Sequence, residues 1–238
     1  TLFDLDFDPY TVEVRIKPIR HIYFRVRHRE KKVLVSAPVH ISEDHLNQAI
    51  LSKYGWIRKQ IEKGSAFPAV NPISYSDGDW ISFHGERVEL VISPTSGAGL
   101  VEWVSGRLIL RIRPGTRTPC RKRLVTQWLR EQLKKDVHAL VRLWEPKLNV
   151  RVSEYRVRIM KTRWGSCNVN ARRIWLNLDL VHLRPALLEY VVVHEMVHLL
   201  EKSHNQRFRR FMDQWIPGWR NLKKELDQVR PGQEILPL

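Results

Sequence analysis

The stretch VVVHEMVHLLEKSHNQRF, residues 191–208, sets three histidines and a glutamate into and just beyond a strongly apolar run. Pro185 upstream suits the first turn of a helix. Leu187, Leu188, Val191, Val192, Met196, Leu199 and Leu200 supply apolar faces, so a long helix is expected from Pro185 to about Lys202. At 3.6 residues per turn, His194 and His198 lie about 40° apart around the axis, and their imidazoles leave the same side one turn apart. That spacing makes a two-toothed claw for a metal ion. Glu195, rotated by about 100°, cannot be a further ligand but can reach water on the open side of the ion, where a carboxylate works as a base.

A catalytic zinc takes three protein ligands and keeps one position open, so the pair needs a third donor. His204 would point away on an unbroken helix. The segment EKSHN is a plausible stop, however, with Lys202 in the last turn and Asn205 able to cap the next helix. If the chain turns there, His204 returns to the metal; the alternative ligand is Glu225 on the final helix. The pattern implies one zinc per chain and a hydrolytic mechanism: water acidified by the ion, with Glu195 taking and returning its proton. The remaining histidines, His21, His28, His40, His45, His84, His138 and His182, read as ordinary core or surface residues.

Around this stretch, 41 Lys+Arg against 25 Asp+Glu give a formal charge of +16 and a pI near 10.2. Such a surplus attracts anions generally, whether nucleic acid along a basic surface, nucleotides, acidic peptides or anionic lipid, and does not choose among them. Two cysteines, Cys120 and Cys167, make no disulfide framework, which suits a reducing interior. No apolar run approaches the roughly 20 residues needed to span a bilayer, and TLFDLDFDPY has no signal-like character. A cytoplasmic protein without a membrane span is expected.

The chain's texture changes near residue 115. Before it, YTVEVRIKP, HIYFRVRHRE, KKVLVSAPV, DWISFHGERVELVIS and LVEWVSGRLILRIRP alternate apolar and polar residues, as antiparallel strands do, with SPTSGAG as a hairpin loop. One helix interrupts them. It opens at a Ser42 cap, aligns Leu46, Ile50, Ile57 and Ile61, and closes at Gly64. After the break RPGTRTPC come a helix to about Leu148, a strand (EYRVRIMKT), a loop (RWGSCNVNAR), a strand (RIWLNLDLV), the histidine helix, and a last helix from about Asn205. The fold class is α+β. A β-rich amino-terminal domain is expected over 1–115 and a catalytic domain, a small mixed sheet packed on the histidine helix, over 116–238.

The motifs RWGSC (163–167), IWLNLDLV (174–181), LLEYVVVHEMVHL (187–199) and SHNQRF (203–208) together resemble the YgjP-like metal-dependent hydrolases, zinc metallopeptidases of minigluzincin type within the zincins. The upstream LSKYGWIRKQIEK and FHGERVELVIS resemble that family's amino-terminal half. The resemblance implies a zinc on His194, His198 and His204, Glu195 as general base, and a compact zincin-like fold. It also implies that the strand before the metal helix, Ile174 to Leu178, lies at a sheet edge where a substrate peptide can add, with Ile174, Trp175 and Leu176 lining the cleft. Metzincins carry a glycine where this chain has Glu201; a glutamate requires no left-handed turn, so the helix is expected to run through 201.

RWGSC has two readings. Arg163 can be an anion partner beside the zinc, with Gly165 and Ser166 exposing amides; or Trp164 and Cys167 pack, and the segment merely connects strands. For function, a zinc metallopeptidase stands first. A nucleoside triphosphate pyrophosphohydrolase on the same site is the alternative, and a nucleic-acid-binding protein with a structural zinc is a third reading. An open zinc position, and convergence of Lys161, Arg163, Arg172 and Arg173 on it, would discriminate among them.

Overall fold

The computed structural model describes residues 7–27, 30–65 and 73–232. The opening TLFDLD and His28 lie outside the described residues. The chain divides after residue 71 into two compact units.

In the first unit, β1 (Thr11–Lys17), β2 (Tyr23–Arg27) and β3 (Lys32–Pro38) form a sheet of order β1-β3-β2. Val33, Val35 and Ala37 on central β3 are fully buried together with Leu46, Ile50, Ile57 and Ile61 of α1 (Glu43–Ser65). The expected helix stripe is therefore its core face. The Ser42 carbonyl accepts from Leu46 N–H at 3.0 Å, and Glu43 and Asp44 occupy the positive end of the helix dipole. The strands are not all antiparallel: β1 runs parallel to β3. Alternation reports which face is buried and carries no information about strand direction.

The second unit opens with β4 (Trp80–Phe83), β5 (Glu86–Pro94), β6 (Leu100–Val104) and β7 (Arg107–Ile112), in the order β4-β5-β7-β6. β5 and β7 are parallel neighbours, so SPTSGAG joins strands that do not pair and is not a hairpin loop. Leu90, Leu108 and Leu110 share one buried cluster with Val125, Leu133 and Val137 of α2 (Thr118–Leu148). The boundary expected at 115/116 thus falls inside this unit: β4 to β7 bury their apolar face in the same core as the histidine helix, while a separate cluster serves the first unit.

Beyond α2, β8 (Glu154–Arg158), β9 (Gly165–Asn168) and β10 (Arg173–Asn177) form a mixed sheet of order β8-β10-β9, parallel between β8 and β10 and antiparallel between β10 and β9. A short 3-10 helix, Leu178–His182, leads to α3 (Pro185–Val197). The expected last helix is two, α4 (Gln206–Trp215) and α5 (Trp219–Asp227), broken where Pro217 precedes Gly218 at φ +80°. The class is α+β with small mixed sheets, as expected. Among the described residues no helix is long and apolar enough to cross a membrane.

Candidate metal centre

α3 is buried on most of its circumference: Val192, Val193, Met196 and Val197 have no exposure, and Glu195 only 6%. Apolar packing holds the helix, and His194 and His198 leave it on the remaining side. The helix stops earlier than expected. Leu199 N–H donates to Met196 O (3.0 Å) and Leu200 N–H to Val197 O (2.9 Å), the i to i+3 bonds that tighten a final turn. His198 Nδ1–H donates to the Glu201 carbonyl at 3.1 Å and closes that turn. The expectation of a helix through 201 is therefore corrected: the chain turns just after His198.

That turn brings His204 back. His204 Nε2 lies 2.9 Å from His194 Nε2, and one nitrogen from each of His194, His198 and His204 falls within 4.8 Å of the others. Asn205 caps α4, its side chain accepting from Phe208 N–H at 3.0 Å. The cap sets Phe208 beneath the three imidazoles, its ring centroid 4.9, 4.8 and 4.8 Å from those of His194, His198 and His204. Phe208 is 1% exposed and forms an apolar floor that sequence spacing alone does not announce. Glu225, the alternative donor, is not in the cluster; it holds Arg184 in a two-pronged ion pair at 2.6 and 2.5 Å.

The donor set fits zinc. Tetrahedral zinc with nitrogens at about 2.1 Å spaces them about 3.4 Å apart, a value between the 2.9 Å of the His194–His204 pair and the 4.8 Å within which all three nitrogens fall. The His198 bond through Nδ1 leaves its Nε2 lone pair free and fixes the ring, the support that metal-bound histidines generally have. Burial, reinforced by His198, His204 and Lys223, pushes His194 down to about 3, which keeps it in the neutral, metal-binding form. Burial also lowers His198, against the pull of its bond to the Glu201 carbonyl. His194 Nδ1 is buried with no hydrogen-bond partner among the described residues.

Glu195 is pushed up to about 8 by burial, with Arg163 pulling the other way. Its carboxyl packs against β9: a Cβ at Gly165 would lie 2.6 Å from Oε1 and 2.9 Å from Cδ, so no side chain fits there. RWGSC, expected as a loop, contains the strand nearest the glutamate. Asn177, wholly buried, positions the approach to this strand. Its Nδ2 donates to the carbonyls of Met160 (2.8 Å) and Arg163 (2.9 Å), and its own N–H donates to Trp164 O (2.8 Å). Sequence reasoning did not single it out, although an asparagine in an apolar strand is a signal, since buried amides must find partners. Burial, then Glu195, raises Cys167 to about 11, which holds the thiol protonated and unreactive.

The expectation that Ile174 to Leu178 forms an edge strand is corrected. β10 is central, hydrogen-bonded to β8 on one side and β9 on the other. Ile174 and Leu176 are wholly buried, and the Arg158 guanidinium covers Trp175 at 3.9 Å. The edge beside Glu195 belongs to β9. The other histidines of this unit have structural partners: His84 bonds Asp136, His138 bonds Tyr155 and His182 bonds the Ser82 carbonyl.

A family model, the YgjP-like metallopeptidase domain, matches residues 20–229. The chain belongs to the YgjP-like family. Membership places this YgjP-like chain among hydrolases of metallopeptidase type. Two solved structures are similar to part of it. The metallopeptidase zymogen of Pyrococcus abyssi abylysin is 20% identical with a TM-score of 0.36, over 38% of this chain and 90% of that one. The metallopeptidase zymogen of Methanocaldococcus jannaschii jannalysin is 22% identical with a TM-score of 0.34, over 40% and 94%. The curated proteins contain no match.

Proposed function

We propose that the chain is a zinc-dependent metallopeptidase in which His194, His198 and His204 hold one zinc and Glu195 is the general base. The supporting observation is the convergence of three imidazole nitrogens within 4.8 Å of one another, on and just after the helix that carries Glu195. Zinc in such a donor set supplies Lewis acidity, polarising a carbonyl and acidifying water.

The chain's own residues do the rest. Glu195 accepts the water's proton on a carboxyl oxygen and delivers it to the leaving amine. Gly165 leaves no room for a side chain that would push that carboxyl aside. A peptide in extended form adds along the β9 edge, where backbone groups not used by β10 pair with it. Arg163, exposed and two residues before Gly165, takes an anionic or carbonyl group of the substrate. Against a structural zinc, which four protein ligands would close, stands a cluster of three among the described residues.

Purified protein should carry about one zinc per chain, with loss in His194→Ala. Glu195→Gln should keep the zinc and lose peptide hydrolysis by at least about a hundredfold. Undiminished cleavage by Glu195→Gln would overturn the assignment.

A further inference from the structure

Two chain segments flank the metal centre. Met160–Arg173 carries Lys161, Arg163, Arg172 and Arg173 with no Asp or Glu, and leads into and out of β9. On the other side, the segment from Lys202 to Met212 holds His204 and the first turns of α4, again without a carboxylate. Three cations in these segments are tied to the site by their backbone positions. Arg163 has its carbonyl fixed by buried Asn177. Lys202 sits in the turn between His198 and His204. Arg207 adjoins the floor residue Phe208 and lies 5.7 Å over the Phe211 ring. All three are exposed, and none has a carboxylate within 4.0 Å among the described residues.

Elsewhere on this unit some exposed cations have carboxylate partners, as Arg184 has Glu225, Arg220 has Asp213 and Lys223 has Asp227, while others, such as Lys122, Arg209 and Lys224, have no carboxylate within 4.0 Å among the described residues. What marks the rim is that both flanking segments carry cations and no carboxylate, with Glu201 the acid that acts on His198 from just outside them. Glu201, the acid adjoining Lys202, accepts from the Ser203 amide. Charge of one sign at a cleft mouth draws in ligands of the other sign and rejects like charge.

We infer that the cleft selects acidic peptides: segments with Asp or Glu side chains on both sides of the scissile bond, received by Arg163 on the β9 side and by Lys202 and Arg207 on the His204 side. This deepens the metallopeptidase reading and rests on it. A peptide strand beside β9 sends alternate side chains to opposite faces, so only some of its acids meet the rim. The preference therefore depends on the position of the acids as well as on their number.

The test uses the full zinc-loaded chain and three fluorescent peptides of one length and one central sequence, flanked by Glu, Gln or Lys. Cleavage by the wild type, counted only where Glu195→Gln abolishes it, should favour the Glu peptide by on the order of tenfold in kcat/KM, and the margin should shrink as salt rises. Binding of the same peptides to zinc-loaded Glu195→Gln, read by anisotropy, should show the same order without turnover. Arg163→Gln and the pair Lys202→Gln, Arg207→Gln should each narrow the margin while zinc content holds. Equal cleavage and equal binding of the three peptides overturns the inference and leaves the metallopeptidase standing. A preference that survives both sets of substitutions overturns the assignment to this rim. If no peptide is cleaved in a Glu195-dependent way, the metallopeptidase reading falls and the inference with it.

Discussion

At Gly165 the α-carbon itself is the wall against which Glu195 rests. A methyl group placed there would meet Oε1, Cγ and Cδ of the glutamate at 2.6, 2.7 and 2.9 Å, so either the carboxyl or the strand has to move. Displacing a catalytic group by about 1 Å costs on the order of a hundredfold in rate. Gly165→Ala should therefore keep its zinc, measured by metal analysis, and lose about that factor in kcat; wild-type turnover would show that the carboxyl can step aside. The histidine pair and the Asn205 cap were legible because each is a local relation, three or four residues apart on a helix. The Gly165 contact and the identities of the Asn177 partners were not, because those partners lie well away in sequence, even though an asparagine in an apolar strand signals that it must have some.

Among the elements, β9 is the one that periodicity could not reveal. Four residues, GSCN, contain no alternation long enough to register, and the strand is defined only by its pairing with β10. Placing β10 at the edge followed from the family resemblance, whereas its apolar composition reflects burial on a central strand. The start of α3 and the body of α5 are linked by Arg184 and Glu225, and this link gives a pH test. The Arg184 guanidinium holds the Glu225 carboxyl below the ordinary value of 4.5. The folded state thus binds fewer protons than the unfolded state just below that value. Its stabilising contribution is present above pH 4.5 and is lost as pH falls through the folded value. A partly exposed pair contributes at most about 1 kcal/mol. Glu225→Gln should be less stable than wild type by up to that amount near neutrality in urea titrations, and the gap should close as pH falls below 4.5 through the lowered folded value. A gap that stays constant with pH would show that the pair contributes nothing.

For the whole molecule, two separate cores predict two separable folding units. A chain beginning at residue 72 retains every residue of the larger cluster together with the three histidines and Glu195. It should fold cooperatively and bind zinc about as the full chain does, as judged by circular dichroism melting and metal content. Loss of cooperative melting would show that the first 71 residues complete the fold. The change in texture near residue 115 is real, since the chain passes there from strands to the long helix α2. It misled as a boundary because secondary-structure type and core membership are different quantities: β4 to β7 share their apolar side chains with α2 and α3.

The early stop of α3 also has a bearing on the order of events in folding. Because the chain turns directly after His198, all three imidazoles, the Asn205 cap and the Phe208 floor lie within residues 194–208. Closing so short a loop costs little chain entropy, and contacts between near neighbours form early. Gly165 and the β9 edge arrive from a different part of the chain, through sheet pairings of longer range. On the proposed reading, the nascent protein can therefore gather its metal ligands before Glu195 meets the β9 edge, so that metal capture precedes the completed catalytic site.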